Sequence, residues 1–320
     1  MKILVTGGAG FIGSNVVDGY IKEGHEVVVV DNLVSGKKEN VNPKAKFYQL
    51  DIRSSEIKDV IEKEKPDIIN HHAAQISVPD SVRDPIYDAD VNIKGFLNIL
   101  EAAVACKVKK IIFISSGGAI YGDVDEYPTT EQCHPKPLSP YAITKYSSEY
   151  YLAYYKHQYG LEYTTLRYAN IYGPRQIPHG EAGVVAIFMD NILKGKKSVL
   201  YHYPDDEEGM IRDYCFVEDV VDANIKALNK GSNDFFNIGT GVETKTLQLY
   251  RLILSTYQEM GFNVPDELKE PVRKPARPGD LKRSCLVVKK ALKGLGWTPK
   301  TDLKTGILKT WQWRLAQEGV

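Results

Sequence analysis

Apolar positions along the chain fall into two alternating rhythms. Short apolar runs rich in Val and Ile occur at 3–5, 27–30 and 111–114, and further short strand-like runs at 47–50, 67–69 and 163–166. The first three are apolar at consecutive rather than alternate positions, which predicts strands buried on both faces. Longer segments with helical spacing fill the gaps: one running to Glu23, then 56–65, 82–106 and 141–159. Gly24 breaks the first of these. Strands separated by helices predict a parallel sheet covered on both sides, the doubly wound α/β architecture. After Tyr172 the rhythm changes. Gly173-Pro174 closes the strand region, a loop with Pro178, Gly180 and Gly183 follows, and Pro and Gly cluster again over 265–279. A helix from Val217 and a strand at 235–238 return to the main sheet. The expected division is residues 1–172 with 213–245 as a nucleotide-binding domain, and 173–212 with 246–320 as a smaller C-terminal substrate-binding lobe.

Composition narrows the function. Of 320 residues 43% are apolar, and 41 Lys plus Arg balance 41 Asp plus Glu. A zero net charge argues against nucleic acid as a partner. Cys106, Cys133, Cys215 and Cys285 form no Cys-x-x-Cys pair, so neither a zinc site nor a disulfide framework is expected, and a reducing cytoplasm fits. No apolar run nears the ~20 residues that span a bilayer, and a strand directly after Met1-Lys2 leaves no room for a signal peptide. No internal repeat is visible. His71-His72 are read as packing near the end of a strand, and no histidine has metal-ligand spacing, so no metal is expected.

Thr6-Gly7-Gly8-Ala9-Gly10-Phe11-Ile12-Gly13 lies between the first strand and the first helix. Glycines at 7, 10 and 13 allow a tight turn, close approach of backbone to a pyrophosphate and close packing of helix on strand. The helix N-terminus adds free N–H groups for negative charge. Asp31 ends the next strand, where a carboxylate suits the two hydroxyls of an adenosine ribose and repels a 2′-phosphate. This predicts a Rossmann site for NAD rather than NADP. Asp51-Ile52 either flank the adenine or serve as a strand cap and a core residue.

Ser139-Pro140-Tyr141 is a helix start, with Ser139 as cap and Pro140 in the first turn. Tyr141 and Lys145 then share a face. A phenol ionises near about 10; a neighbouring ammonium and a positive nicotinamide ring both favour the phenolate. Downstream of a dinucleotide loop, this pair is the leading catalytic candidate. Ser115 and Ser116 end the preceding strand, either as donors to a substrate oxygen or as a polar strand end.

These residues together resemble the extended short-chain dehydrogenase/reductase family, most closely its UDP-glucose 4-epimerase branch. The resemblance rests on an ordered set: 6–13, Asp31-Asn32-Leu33, Ala73-Ala74-Gln75, Asn92, Tyr141-x-x-x-Lys145, the run Arg167-Tyr168-Ala169-Asn170-Ile171-Tyr172-Gly173-Pro174-Arg175, Arg212-Asp213-Tyr214 and Arg277-Pro278-Gly279-Asp280. It implies that Gly7, Gly10, Phe11, Ile12 and Gly13 line the cofactor pyrophosphate, with Asp31 and Asn32 at the ribose. It places Asp51, Ile52, Ala73, Ala74, Gln75, Asn92, Ser115 and Tyr168 around the rest of NAD, and Lys145 at the nicotinamide ribose. Tyr141 is implied as the acid/base, assisted by Ser116. Asn170, Arg212, Arg277 and Asp280 are implied to hold a UDP-sugar by its diphosphate and uridine ribose, with Gly183, Val184, Val185, Tyr201 and Ser284 lining the rest. The implied reaction removes hydrogen from sugar carbon 4, lets the 4-keto sugar turn and returns hydrogen to the opposite face. That requires a tight grip on the nucleotide and a loose one on the hexose.

Three departures from the family pattern matter. The assisting hydroxyl's usual place, four residues before Tyr121, is Gly117, so Ser116 takes the role only if Gly117-Gly118 act as an insertion. No carboxylate lies in Gly117-Gly118-Ala119-Ile120, which favours epimerisation over dehydration or decarboxylation. The acids Asp205, Asp206, Glu207 and Glu208 would repel a diphosphate if turned inward and are expected in a solvated loop tip, which leaves the base contact at Tyr201 open. Ser284 either borders the sugar pocket, where its small size admits N-acetylated sugars, or lies on the surface.

Tyrosines recur at 146, 150, 154 and at 151, 155, 159 on the helix after Tyr141. They either pack inside or form a subunit interface, for which tyrosine is enriched; the family resemblance points to a homodimer. The function expected is NAD-dependent 4-epimerisation of UDP-glucose and UDP-galactose, with UDP-GlcNAc and UDP-GalNAc as further substrates. The rival readings are a UDP-glucuronate or UDP-pentose 4-epimerase and a non-catalytic NAD-binding module.

Overall fold

The computed structural model describes residues 1–178, 183–277 and 280–319. Its first half alternates strand and helix: β1 (Lys2–Thr6), α1 (Phe11–Lys22), β2 (Glu26–Asp31), β3 (Lys46–Gln49), α2 (Glu56–Glu64) and β4 (Ile68–His71). Three helices follow, α3 (Val78–Arg83), α4 (Pro85–Ala89) and α5 (Phe96–Ala105), and then β5 (Lys110–Ser116), α6 (Pro140–Tyr159) and β6 (Glu162–Tyr168). The second half holds β7 (Asn170–Tyr172), α7 (Val184–Leu193), β8 (Val199–His202), β9 (Ile211–Phe216), α8 (Val217–Ala227), β10 (Asp234–Ile238), β11 (Glu243–Lys245), α9 (Thr246–Glu259), β12 (Val272–Pro275), β13 (Arg283–Ser284), α10 (Lys289–Leu295) and α11 (Leu303–Glu318).

The main sheet has seven strands in the order β10-β6-β5-β4-β1-β2-β3, all parallel. Its central strands are buried along their length because each face carries a helical layer. Val5, Val29 and Ile112 pack with α1 and α8 on one side; Leu4, Val28 and Ile111 pack with α2 and α5 on the other. The strand order reverses between β1 and β4, which opens a crevice at the strands' C-terminal ends. A second sheet joins β11, β9 and β13, with β7 also on β9, and β8 pairs with β12. A third core under these strands gathers Phe188, Tyr250, Ile253 and Trp311.

One expectation needs correction. The helix expected over 82–106 begins earlier and is interrupted. Asp84 caps α4, its carboxylate accepting from the Tyr87 N–H at 2.9 Å, and Pro85 supplies the first residue. A proline there has no N–H with which to continue α3. A π-helical turn then spans Asp90–Gly95 before α5. β9 and β11, which fall within the expected nucleotide-binding residues 213–245 and at their edge, pair with each other in the second sheet. The return to the main sheet comes with α8 and β10, which lies beside β6.

A buried polar clamp joins α6 to the sheet. Arg167 on β6 donates to Glu149 of α6 through Nε at 3.0 Å and Nη2 at 2.5 Å, and through Nη1 to the Tyr121 hydroxyl at 2.8 Å. Ser115 Oγ donates to the same Glu149 carboxylate at 2.6 Å. The Arg167 and Glu149 side chains are only 3% and 9% exposed, so removing one partner strands a buried charge. Glu149→Ala is expected to lower unfolding stability by about 3–5 kcal/mol, measured by chemical denaturation. A loss below about 1 kcal/mol, the value of an exposed pair, would mean that the clamp is open to water.

Candidate functional site

The crevice holds a cavity of about 1020 Å³ running from β2 past the ends of β4 and β5 to β8 and β9. That lies at the upper end of the range for small-molecule sites. Its nucleotide end is built by the glycine loop. Gly7 has φ +68°, and a Cβ there would lie 2.6 Å from the Ala73 nitrogen; one on Gly13 would lie 2.2 Å from the Gly7 carbonyl. No side chain fits in this cradle. α1 starts at Gly10 with no side-chain cap, so its first N–H groups face the cavity free for an anion. Asp31 is held at the end of β2 by the N–H groups of Ala9 (3.0 Å) and Leu33 (2.8 Å). Asn32 reaches Asp51 at 2.9 Å, and both line the cavity with Ile52. A glycine cradle at a helix N-terminus beside a fixed carboxylate fits a dinucleotide.

At the middle, Ser139 caps α6 by accepting from the Ala142 N–H, and Pro140 begins the helix. Tyr141 and Lys145 face the cavity one turn apart, opposite Ser116 at the end of β5. Lys145 Nζ donates to the Ile114 carbonyl at 2.9 Å and lies 6.0 Å from the Tyr141 ring centre. Burial pushes the Tyr141 phenol up to about 12; hydrogen bonding with Ser116 works against this, and the Asp88 charge adds to it. Burial brings Lys145 down to about 8. The ammonium alone therefore does not bring about the expected phenolate, because desolvation outweighs it in the protein without ligands. His72 also lines the cavity; burial holds it neutral, with a value of about 3.

The far end is cationic. Arg212, on β9, is lowered by burial but as a guanidinium keeps its charge. Arg277 pairs with Asp280 through Nε at 2.9 Å and lies 4.6 Å over the Tyr201 ring. Asn170 Nδ2, Arg175 Nη1 and Gln176 Oε1 are buried without a partner, and all three residues line the cavity. Polar atoms left unsatisfied there fit a polar ligand better than an empty pocket. The acids at 205–208 point away: Lys282 pairs with Asp205, and Lys245 bridges Asp206 at 3.2 Å and Glu208 at 2.7 Å.

Of the residues singled out in the sequence, all but Asn92 and Ser284 line this one cavity. Asn92 lies behind the wall, its side chain bonded to both the N–H and the carbonyl of Gln75, at 2.9 and 3.0 Å. It is buried, within the π-helical turn. Ser284 lines a small neighbouring cleft with Gly117, Gly118 and Tyr127, since its short strand runs beside β9 rather than across the cavity mouth. Ser115 reaches the wall, but its hydroxyl is committed to Glu149. Pro278, Gly279 and Gly180 lie outside the described residues. Arg175 and Gln176 had no role in the sequence reading. The signal was available for Arg175, which closes the 167–175 run; in the structure it sits at φ +72°, an uncommon backbone for a non-glycine residue. Among the described residues no group of three or more His, Cys, Asp or Glu is placed to hold a metal ion, and no helix is long and apolar enough to cross a membrane.

Known proteins share this fold. The chain is 49% identical to the UDP-glucose 4-epimerase of Thermotoga maritima, solved with UDP-glucose, at a TM-score of 0.93 over 99% of this chain and 100% of that one. A Thermus thermophilus UDP-glucose 4-epimerase solved with NAD is 43% identical, with a TM-score of 0.90 over 98% of each chain. The UDP-glucose 4-epimerase of Mycolicibacterium smegmatis is 44% identical over 97% of both chains. Residues 3–239 match the profile of the NAD dependent epimerase/dehydratase family. With its glycine cradle, Tyr–Lys pair and full-length relatives, the chain belongs to the NAD dependent epimerase/dehydratase family.

Proposed function

We propose that the chain is an NAD-dependent 4-epimerase of UDP-hexoses, interconverting UDP-glucose and UDP-galactose. The observation that carries this is the meeting, in one cavity, of a glycine cradle, the Tyr141–Lys145–Ser116 group and a cationic far end. The main sheet holds the dinucleotide and the second-half elements hold the UDP-sugar. Gly7, Gly10, Gly13 and Asp31 would hold NAD, which when bound supplies an acceptor for the carbon-4 hydrogen and a positive charge near Tyr141. Tyr141 takes the proton of the sugar 4-hydroxyl and later gives it back, so its high resting value must fall once ligand charge arrives. Ser116, which favours the Tyr141 phenolate, can hydrogen-bond the sugar oxygen. Arg212, Arg277 and Asn170 anchor the diphosphate.

Incubation with single UDP-sugars and no added NAD, followed by separation of products, tests this reading. Tyr141→Phe should keep bound NAD while kcat falls by about 10²–10⁴; unchanged turnover would remove Tyr141 from the mechanism. UDP-GlcNAc and UDP-GalNAc belong in the same panel, since the cavity, at about 1020 Å³, is at the upper end of the range for small-molecule sites. We expect both pairs to be converted, and inert N-acetyl sugars beside active plain ones would defeat that extension. Preference for UDP-glucuronate or a UDP-pentose would favour the rival epimerases.

The assembly we propose is a homodimer through α6 with α3 and α4. Of the tyrosine stripes only Tyr155 is buried. Tyr150 and Tyr154 are 61% and 50% exposed, beside exposed Ile143, Val82 and Ile86, an apolar face of the kind that marks an interface. Four free thiols favour a reducing compartment such as the cytoplasm. Light scattering at micromolar protein should give twice the 35.9 kDa chain mass; a single chain mass would sink the dimer.

A further inference from the structure

Asp88, on the short helix α4, is completely buried. Its Oδ1 accepts from Gln75 Nε2 at 2.7 Å and Asn92 Nδ2 at 3.1 Å, and its Oδ2 accepts from Thr144 Oγ1 at 2.8 Å. All three partners are neutral. A carboxylate buried among neutral donors is costly, and an amide of the same shape would satisfy similar bonds more cheaply. The position of the charge supplies a reason. Gln75 belongs to the cavity wall, while Thr144 directly precedes Lys145 on α6.

The charged and titratable groups around Asp88 can be named element by element. α6 presents Tyr141 and Lys145, and the segment at the end of β4 presents His71 and His72, both kept neutral by burial with Lys145 adding to the effect. α3 carries Asp80 and Arg83, paired at 2.7 Å on the surface. The π-helical turn carries Asp90, paired with both Lys94 and Arg53 at 2.9 Å. Asp84 is the α4 cap. The surface pairs cancel locally, whereas the charge of Asp88 favours the Lys145 ammonium and disfavours the Tyr141 phenolate.

We propose that Asp88 is a positioning residue: through Gln75 and Thr144 it joins the cavity wall to the Tyr141–Lys145 turn, and its buried charge balances the Lys145 ammonium. What this serves rests on the epimerase reading; the linkage itself does not. Without Asp88, a site that receives a cationic ring would hold two positive charges with no buried counter-charge beside them, and Lys145 would shed its proton more readily.

Asp88→Asn isolates the charge. The amide oxygen can accept from Gln75 and Asn92, and the amide nitrogen can donate to Thr144, whose own proton can turn to the Tyr141 carbonyl 3.0 Å away. The first measurement is the ionisation of Lys145 in the full chain with NAD, by NMR of protein labelled at lysine Cε, with the signal identified by its loss in Lys145→Arg. It needs no sugar turnover, so it stands even if every UDP-sugar proves inert. Asp88→Asn should lower the Lys145 midpoint by about one pH unit, leaving about tenfold less ammonium relative to amine at a given pH. The basic limb of kcat on UDP-glucose should move the same way. An unmoved midpoint overturns the charge claim. Thr144→Val keeps the charge but cuts the link; kcat should drop by about tenfold at nearly constant KM with the Lys145 midpoint in place. Unchanged kcat there overturns the linkage.

Discussion

The contact on which the rest of the site depends is the hydrogen bond from Lys145 Nζ to the Ile114 carbonyl at 2.9 Å. It fixes an ammonium in an almost water-free position at the C-terminal end of β5, where strand ends open into the crevice. Desolvation pulls the amine towards neutrality, so the charge persists only because oriented dipoles and a buried carboxylate oppose that pull. A carbonyl provides one such dipole. The helix that carries Lys145 must then be held firmly against the sheet, and Glu149, a turn further along, does this through Arg167 and Ser115. One helix thus presents its reactive turn to the cavity and its anchoring turn to the sheet.

The two ends of the cavity differ in how they hold charge. At the nucleotide end the cationic partner is diffuse: free N–H groups at the start of α1 and a glycine loop whose backbone is close enough to touch a ligand. At the far end it is concentrated in Arg212 and Arg277, with Asp280 holding the latter's guanidinium in place. Diffuse dipoles suit a group that stays bound, because they are pre-oriented and cost little reorganisation. Guanidinium groups give a strong but local grip on a diphosphate.

Sequence carried most of the first half of the fold, because strands buried on both faces produce unbroken apolar runs that helices and turns do not imitate. It failed where structure is set by pairing at a distance. β7, β11 and β13 have two or three residues each and exist only through β9; no local pattern marks segments so short. The interruption at Asp84-Pro85 was legible in principle, since an Asp-Pro pair inside a helical pattern is a start signal as well as a stop. Asn92 shows a different limit. Motif order gives the line of residues that approach a site but not their depth, and Asn92 is bonded to Gln75 of the wall rather than lining the cavity itself.

That layer carries information which motif reading passes over. Gln75, Asn92, Thr144 and Asp88 close a network in which the only charged member faces three neutral ones. If the network served packing alone, apolar side chains of equal volume would do as well without the desolvation cost. A charge retained in such a place is explained by what it acts on, and the groups within its reach are the phenol and the amine of α6. The same reasoning explains why the resting phenol is so weakly acidic. Burial first, and the Asp88 charge after it, both raise the Tyr141 phenol, and positive charge brought into the cavity would act against both.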